Sequence, residues 1–122
     1  FRRVLFRSEG KLEGVEAVID KDLTAAVMAD SLEADMLIIL TDVDGAQLDY
    51  GTPNARRIDR ATPAEMRGYG FPAGSMGPKV EAVCRFVELT GGVAAIGRLE
   101  DATKIIAGEA GTIVTPDGTY NA

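Results

Sequence analysis

The chain has 122 residues, 46% hydrophobic and 26% charged, with a formal net charge of −6 and no histidine. That length supports one domain with a modest core, and the acidic balance argues against general nucleic-acid binding and against an anionic membrane surface. Without histidine no His-based zinc site, catalytic triad or proton shuttle can form; the single cysteine, Cys84, excludes an internal disulfide and fits a reducing compartment.

The opening segment "FRRVLFRS", residues 1–8, is arginine-rich, too short for a targeting segment and without a cleavage site. It reads as a non-native edge, so residues 9–122 are taken as the domain proper; a start without methionine fits a fragment. From Gly14 onward, strand and helix signals alternate. "GVEAVID" predicts a short strand over Val15–Ile19, and Asp20 or Asp22 can cap a helix from Leu23 to about Ala34. Met36–Leu40 is an unbroken apolar run, the pattern of a strand covered on both faces in a parallel sheet, and far too short to span a bilayer. It ends in the polar turn "TDVDG". "YGTPNARR" reads as a loop.

"ATPAEMRGYG" carries a helix-start signature: Thr62 at the N-cap, Pro63 at the first helical position and Glu65 placed for a capping box. A glycine-rich connector, "GFPAGSMG", leads into "PKVEAVCRFVELTGG", whose stripe of Val80, Val83, Cys84 and Val87 predicts the best helix of the chain, stopped by Gly91 and Gly92. "VAAIGR" then reads as a strand, "LEDATKIIAGEAG" as a helix and "GTIVTPDG" as a last strand closing on a turn. The alternation predicts a doubly wound α/β layer.

Three stretches could carry chemistry. "IDKD", Ile19–Asp22, groups carboxylates with an ammonium where a strand meets a helix; a capping cluster around a solvated Lys21 explains it as well. "GSMGPK", Gly74–Lys79, puts glycines and a lysine at a helix mouth, where free N–H groups and the helix dipole favour an anion. It lacks the Walker spacing, and a flexible linker accounts for it equally. "TDVDG" could hold ribose hydroxyls or Mg²⁺ at a strand's C-terminal edge, or be plain turn chemistry. Cys84 reads as a packed stripe residue, and Asn54–Arg57 as a solvated loop.

Taken in order, "GVEAVIDKDL", "ADMLIILTDVDG", "YGTPNARRI" and "FPAGSMGPKVEA" resemble the carbamate kinases of the amino acid kinase family, from about Gly14 to Thr115. The resemblance implies a three-layer αβα sandwich around a mostly parallel sheet, of which this chain is the C-terminal, nucleotide-binding half. It implies reversible phosphoryl transfer between ATP and carbamate, giving ADP and carbamoyl phosphate, with Mg²⁺, in a cytoplasmic homodimer of arginine metabolism that binds neither nucleic acid nor membrane. Lys79 and Lys21 are then phosphate lysines and Asp22 the carboxylate that orients them. Thr41, Asp42, Asp44, Tyr50, Ser75 and Met76 line the nucleotide pocket, and no protein metal site is expected. Nothing matches the family's N-terminal substrate loops, so the chain alone is expected to be a poor catalyst. Another amino acid kinase, or a non-catalytic nucleotide-binding module, is the alternative reading.

Overall fold

The longest apolar run sits inside a sheet. The computed structural model describes residues 4–8 (backbone only), 36–71 and 76–120. Its strands are β1 (Val4–Ser8), β2 (Met36–Thr41), β3 (Gln47–Leu48), β4 (Arg56–Arg57), β5 (Arg60–Ala61), β6 (Val93–Arg98) and β7 (Thr112–Val114). The helices are α1 (Pro63–Gly68), α2 (Met76–Thr90) and α3 (Ala102–Ile106), the last preceded by a 3₁₀ turn at Leu99–Asp101. The strand and helix expected over Val15–Ala34, with Lys21 and Asp22 at their junction, lie outside the described residues.

Five strands form one sheet in the order β1-β2-β6-β7-β5. β2 runs parallel to both its neighbours, Met36 opposite Val4 on one side and Val93 on the other. Met36, Leu37, Ile38 and Ile39 are fully buried, as a strand covered on both faces requires. Residues 1–8, set aside on sequence, therefore include a stretch that takes the sheet position beside β2.

Alternate β2 side chains feed two cores. Leu37 and Ile39 join Ala94, Ile96 and Val114 beneath α1 and α2, whose Met66, Val80, Val83, Cys84, Phe86 and Val87 fill that layer. Met36, Ile38 and Leu40 face the other way, with Ala95, Ile113, Ile105 of α3 and Tyr120. The Tyr120 hydroxyl donates to the Ile106 carbonyl at 2.5 Å and so closes this second face. The period of two along a strand sorts these residues.

The local signals produce the expected helix ends. Thr62 Oγ1 accepts from the Glu65 N–H at 3.2 Å and Glu65 Oε1 accepts from the Thr62 N–H at 2.9 Å, a complete capping box. α2 begins at Met76, two residues before the predicted start, and ends where Gly91, at φ 69°, donates back to the Val87 carbonyl at 2.8 Å. Cys84 is buried in α2, and burial pushes its thiol up to about 11. At neutral pH it is a packed thiol and not a nucleophile.

Two expectations fail. The predicted helix over "LEDATKIIAGEAG" shrinks to a 3₁₀ turn and five α-helical residues. Gly108, at φ 82°, ends it in a Schellman motif: Glu109 N–H donates to the Lys104 carbonyl at 2.8 Å and Gly108 N–H to Ile105 at 3.0 Å. The doubly wound alternation also breaks, because β7 runs antiparallel to β6. A parallel return would need the chain carried back along β6. A five-residue helix rises only about 7.5 Å, against about 20 Å for a six-residue strand. The chain therefore turns back at the same sheet edge.

"YGTPNARR" is not simply a loop either. β3 and β4 pair antiparallel, Gln47 opposite Arg57, around a seven-residue tip that begins with Asp49 at φ 54°. Two-residue strands show no periodicity, so the sequence hides them.

Candidate functional site

Of the predicted residues, Lys79 and the Thr41–Asp44 turn stand at one edge of the sheet. α2 ends two residues before β6 begins and packs on β6 and β2, so it runs antiparallel to both. Its 15 residues span about 22 Å, matching a six-residue strand. The first turn of α2, with Lys79, therefore stands at the C-terminal ends of β2 and β6. That edge also carries Thr41, the turn after it and, opposite Thr41, Arg98. Open α/β sheets bind ligands there.

Lys79 is the distinctive residue. Its position in the first turn of α2 adds an ammonium to the helix's own partial positive charge, yet it is only 6% exposed. Burying a cation is costly in general and is tolerated where anionic or polar groups meet it. Thr41 is half-buried, and its hydroxyl donates to Asp42 Oδ1 at 3.3 Å. Asp42 itself faces solvent, while half-buried Asp44 accepts from Gln47 Nε2 at 2.9 Å. Each carboxylate of the turn thus accepts one hydrogen bond, and Asp42 is the more exposed of the two.

Of the remaining expected residues, Tyr50 lies at the hairpin tip, 68% exposed. Met76 opens α2 and packs against the core below α1 and α2. Ser75, like Lys21 and Asp22, is outside the described residues, so the two lysines cannot be placed together. Among the described residues no group of three acidic or cysteine side chains is arranged to hold a metal ion, and no helix is long and apolar enough to cross a membrane.

Sequence reasoning missed the ties between distant elements. Arg67, on α1, forks onto two carboxylates of α2: it donates to both oxygens of Glu81 at 3.1 Å and to Glu88 at 2.9 Å and a second, shorter contact. The seven-residue spacing of Glu81 and Glu88 on one helix face was the available signal. The arginine's hydrogen bonds hold the Glu88 carboxyl below its ordinary value of 4.5. A lowered carboxyl contributes stability that is present above that ordinary value and is lost as pH falls through the lowered one. Arg67→Ala is expected to lower stability by about 1 kcal/mol at low salt, and less at high salt, since the pairs are exposed. Urea titrations at two ionic strengths measure it, and the loss should shrink as pH falls from 4.5 through the lowered Glu88 value.

A second hidden tie is Thr112. Fully buried at the start of β7, it hydrogen-bonds to Ala46, just past the acidic turn, and to Ile58, just past the hairpin.

Comparison with known proteins follows the same outline. The profile of the amino acid kinase family matches residues 7–96. The chain belongs to the amino acid kinase family. The carbamate kinase of Rhizobium meliloti (strain 1021) is 50% identical over 107 residues, covering 88% of this chain and 33% of that protein. The carbamate kinase of Pyrococcus furiosus is 46% identical over 112 residues, covering 88% of this chain and 36% of its own length. Among solved structures, carbamate kinase from Giardia lamblia bound to AMP-PNP superposes with a TM-score of 0.76 at 40% identity, covering 85% of this chain and 34% of that one. The chain thus spans about a third of the length of the curated relatives it matches. The α/β sheet with its helices is that of an amino acid kinase.

Proposed function

We propose that this chain is the C-terminal, nucleotide-binding part of a carbamate kinase. Its edge of strand ends holds ATP or ADP while a phosphoryl group passes between the nucleotide and carbamate, giving ADP and carbamoyl phosphate. The observation that carries the reading is Lys79: a lysine only 6% exposed, at the first turn of a helix aimed at the strand ends, inside a "GSMGPKVEA" stretch of a chain half identical to a carbamate kinase.

Phosphoryl transfer asks little covalent work of the protein. It asks for an in-line arrangement and for positive charge where the transferring group and the leaving oxygen carry negative charge. Lys79 and the N–H groups of the first turn of α2 supply that charge from one side. Lys21, oriented by Asp22, is assigned to the other. Thr41, Asp42 and Asp44 border the nucleotide, with Asp42 open to solvent and Asp44 steadied by Gln47. Tyr50, at the exposed hairpin tip, and Met76 wall the adenine or ribose, and Ser75 completes the nucleotide pocket. Mg²⁺, carried in on the nucleotide's own phosphates, would neutralise phosphate charge there.

The test is calorimetric titration of the chain with AMP-PNP. Saturable binding with Kd below about 1 mM is the expected result. No binding at millimolar nucleotide, by a folded chain, would overturn the reading. Phosphoryl transfer by this chain alone should be feeble, because nothing in it supplies the carbamate side; normal turnover would contradict that division of labour.

A further inference from the structure

The acidic turn and the hairpin that follows it stand on short strands, with Ala46 and Ile58 buried in the core beneath α1 and α2. β3 and β4 contribute two residues each, and the tip between them is exposed. Both ends of this excursion nevertheless converge on one buried hydroxyl. Thr112, fully buried, accepts from the Ala46 N–H at 2.8 Å and donates to the Ile58 carbonyl at 2.6 Å. Ala46 and Ile58 also meet directly, the Ile58 N–H donating to the Ala46 carbonyl at 2.8 Å. The hydroxyl therefore joins the outgoing and returning strands at their base, across 66 and 54 residues of sequence.

The turn is built to approach this group. A Cβ on Gly45 would lie 2.6 Å from Thr112 Oγ1, closer than any side chain tolerates. Glycine at 45 is what lets the backbone beside Asp44 close onto the threonine. Thr112 is itself fixed by the sheet. It pairs with Ile96 near the C-terminal end of β6, and the next residue, Ile113, donates to the Asp59 carbonyl at 2.9 Å. The strands thus reach the turn and hairpin through the Thr112 hydroxyl, with Arg57 donating to the Gly111 carbonyl beside it.

We infer that Thr112 is a positioning residue for nucleotide binding: its hydroxyl fixes the Thr41–Gly45 turn and the Tyr50 hairpin at the strand-end edge. This rests on the proposed nucleotide site. The hydroxyl does not touch the ligand; it acts through Ala46 and Ile58.

Thr112→Val removes the hydroxyl at nearly constant volume and leaves a buried N–H at Ala46 without that acceptor, which drives the turn outward toward water. Thr112→Ser restores the hydroxyl. Two measurements on the chain separate the outcomes: AMP-PNP affinity by calorimetry, and hydrogen exchange at the Ala46 and Ile58 amides. The expected result is at least a tenfold weaker Kd and at least tenfold faster Ala46 exchange in Thr112→Val, with both rescued by Thr112→Ser. Unchanged affinity in a Thr112→Val chain with accelerated exchange would overturn the positioning role, as would a Thr112→Ser chain no better than the valine variant. If the parent chain binds no AMP-PNP, the nucleotide reading falls and this role with it. Unchanged Ala46 exchange in the valine variant would overturn the tie itself.

Discussion

Lys79→Met should weaken AMP-PNP binding by roughly 10- to 100-fold, the loss of one charge-assisted contact to phosphate. In a full-length carbamate kinase carrying this chain it should lower kcat by roughly 10²–10³-fold, as expected when a preorganised group stops meeting transition-state charge. Methionine matches the lysine stem in length and shape, so the packing around residue 79, which is almost wholly buried, survives. The melting temperature should stay within about 5 °C of the parent. Lys79→Arg keeps the charge but brings a broader, forked head into a closed space, and should recover binding only in part. A folded Lys79→Met chain with parental affinity would remove the central support of the functional reading.

Gly111→Ala should destabilise the chain by about 3 kcal/mol, from two additive causes. Gly111 sits at φ 73°, where an alanine pays for its Cβ. A Cβ there would also stand 2.9 Å from the Ile96 carbonyl oxygen and 2.9 Å from Ile105 Cγ1. The oxygen belongs to a paired strand, so it cannot rotate aside. Gly91 provides the control: it has φ 69° and nothing within 4 Å of the added Cβ. Gly91→Ala should cost about 1 kcal/mol, the conformational part alone. Chemical denaturation of both variants separates strain from collision, and equal losses would show the contact with β6 to be unimportant. Because Gly111 adjoins Thr112, its substitution should also loosen the hairpin, which the valine variant at 112 would mimic without the strain.

Much of the candidate site was legible because its signals are local. The lysine at a helix mouth, the acidic turn after an apolar run and the Thr62–Glu65 box each depend on neighbours within a few residues. The same is true of the valine stripe of α2 and of the glycine that ends it. The strand-end turn was legible from the apolar run before it; Thr41 and the first turn of α2 stand at one edge because β2 and β6 are parallel and α2 leads into β6.

What stayed hidden involved pairs distant in sequence or elements too short for a period. No pattern links Thr112 to Ala46, or Arg67 to Glu88. The β3–β4 hairpin has too few paired residues to alternate, and the α3 helix looked longer than it is because its apolar spacing runs on past the glycine that stops it.

By itself, then, the sequence determined which residues are apolar, where α1 begins and α2 ends, and which charged groups stand at helix and strand ends. These are properties of a chain within one or two turns, where backbone geometry and capping chemistry decide. The direction of β7, the seat of Val4–Ser8 beside β2, the convergence of turn and hairpin on Thr112 and the deep burial of Lys79 were decided only by the tertiary structure. Each depends on which distant surfaces exclude water together, and on whether a connection is long enough to travel back across the sheet.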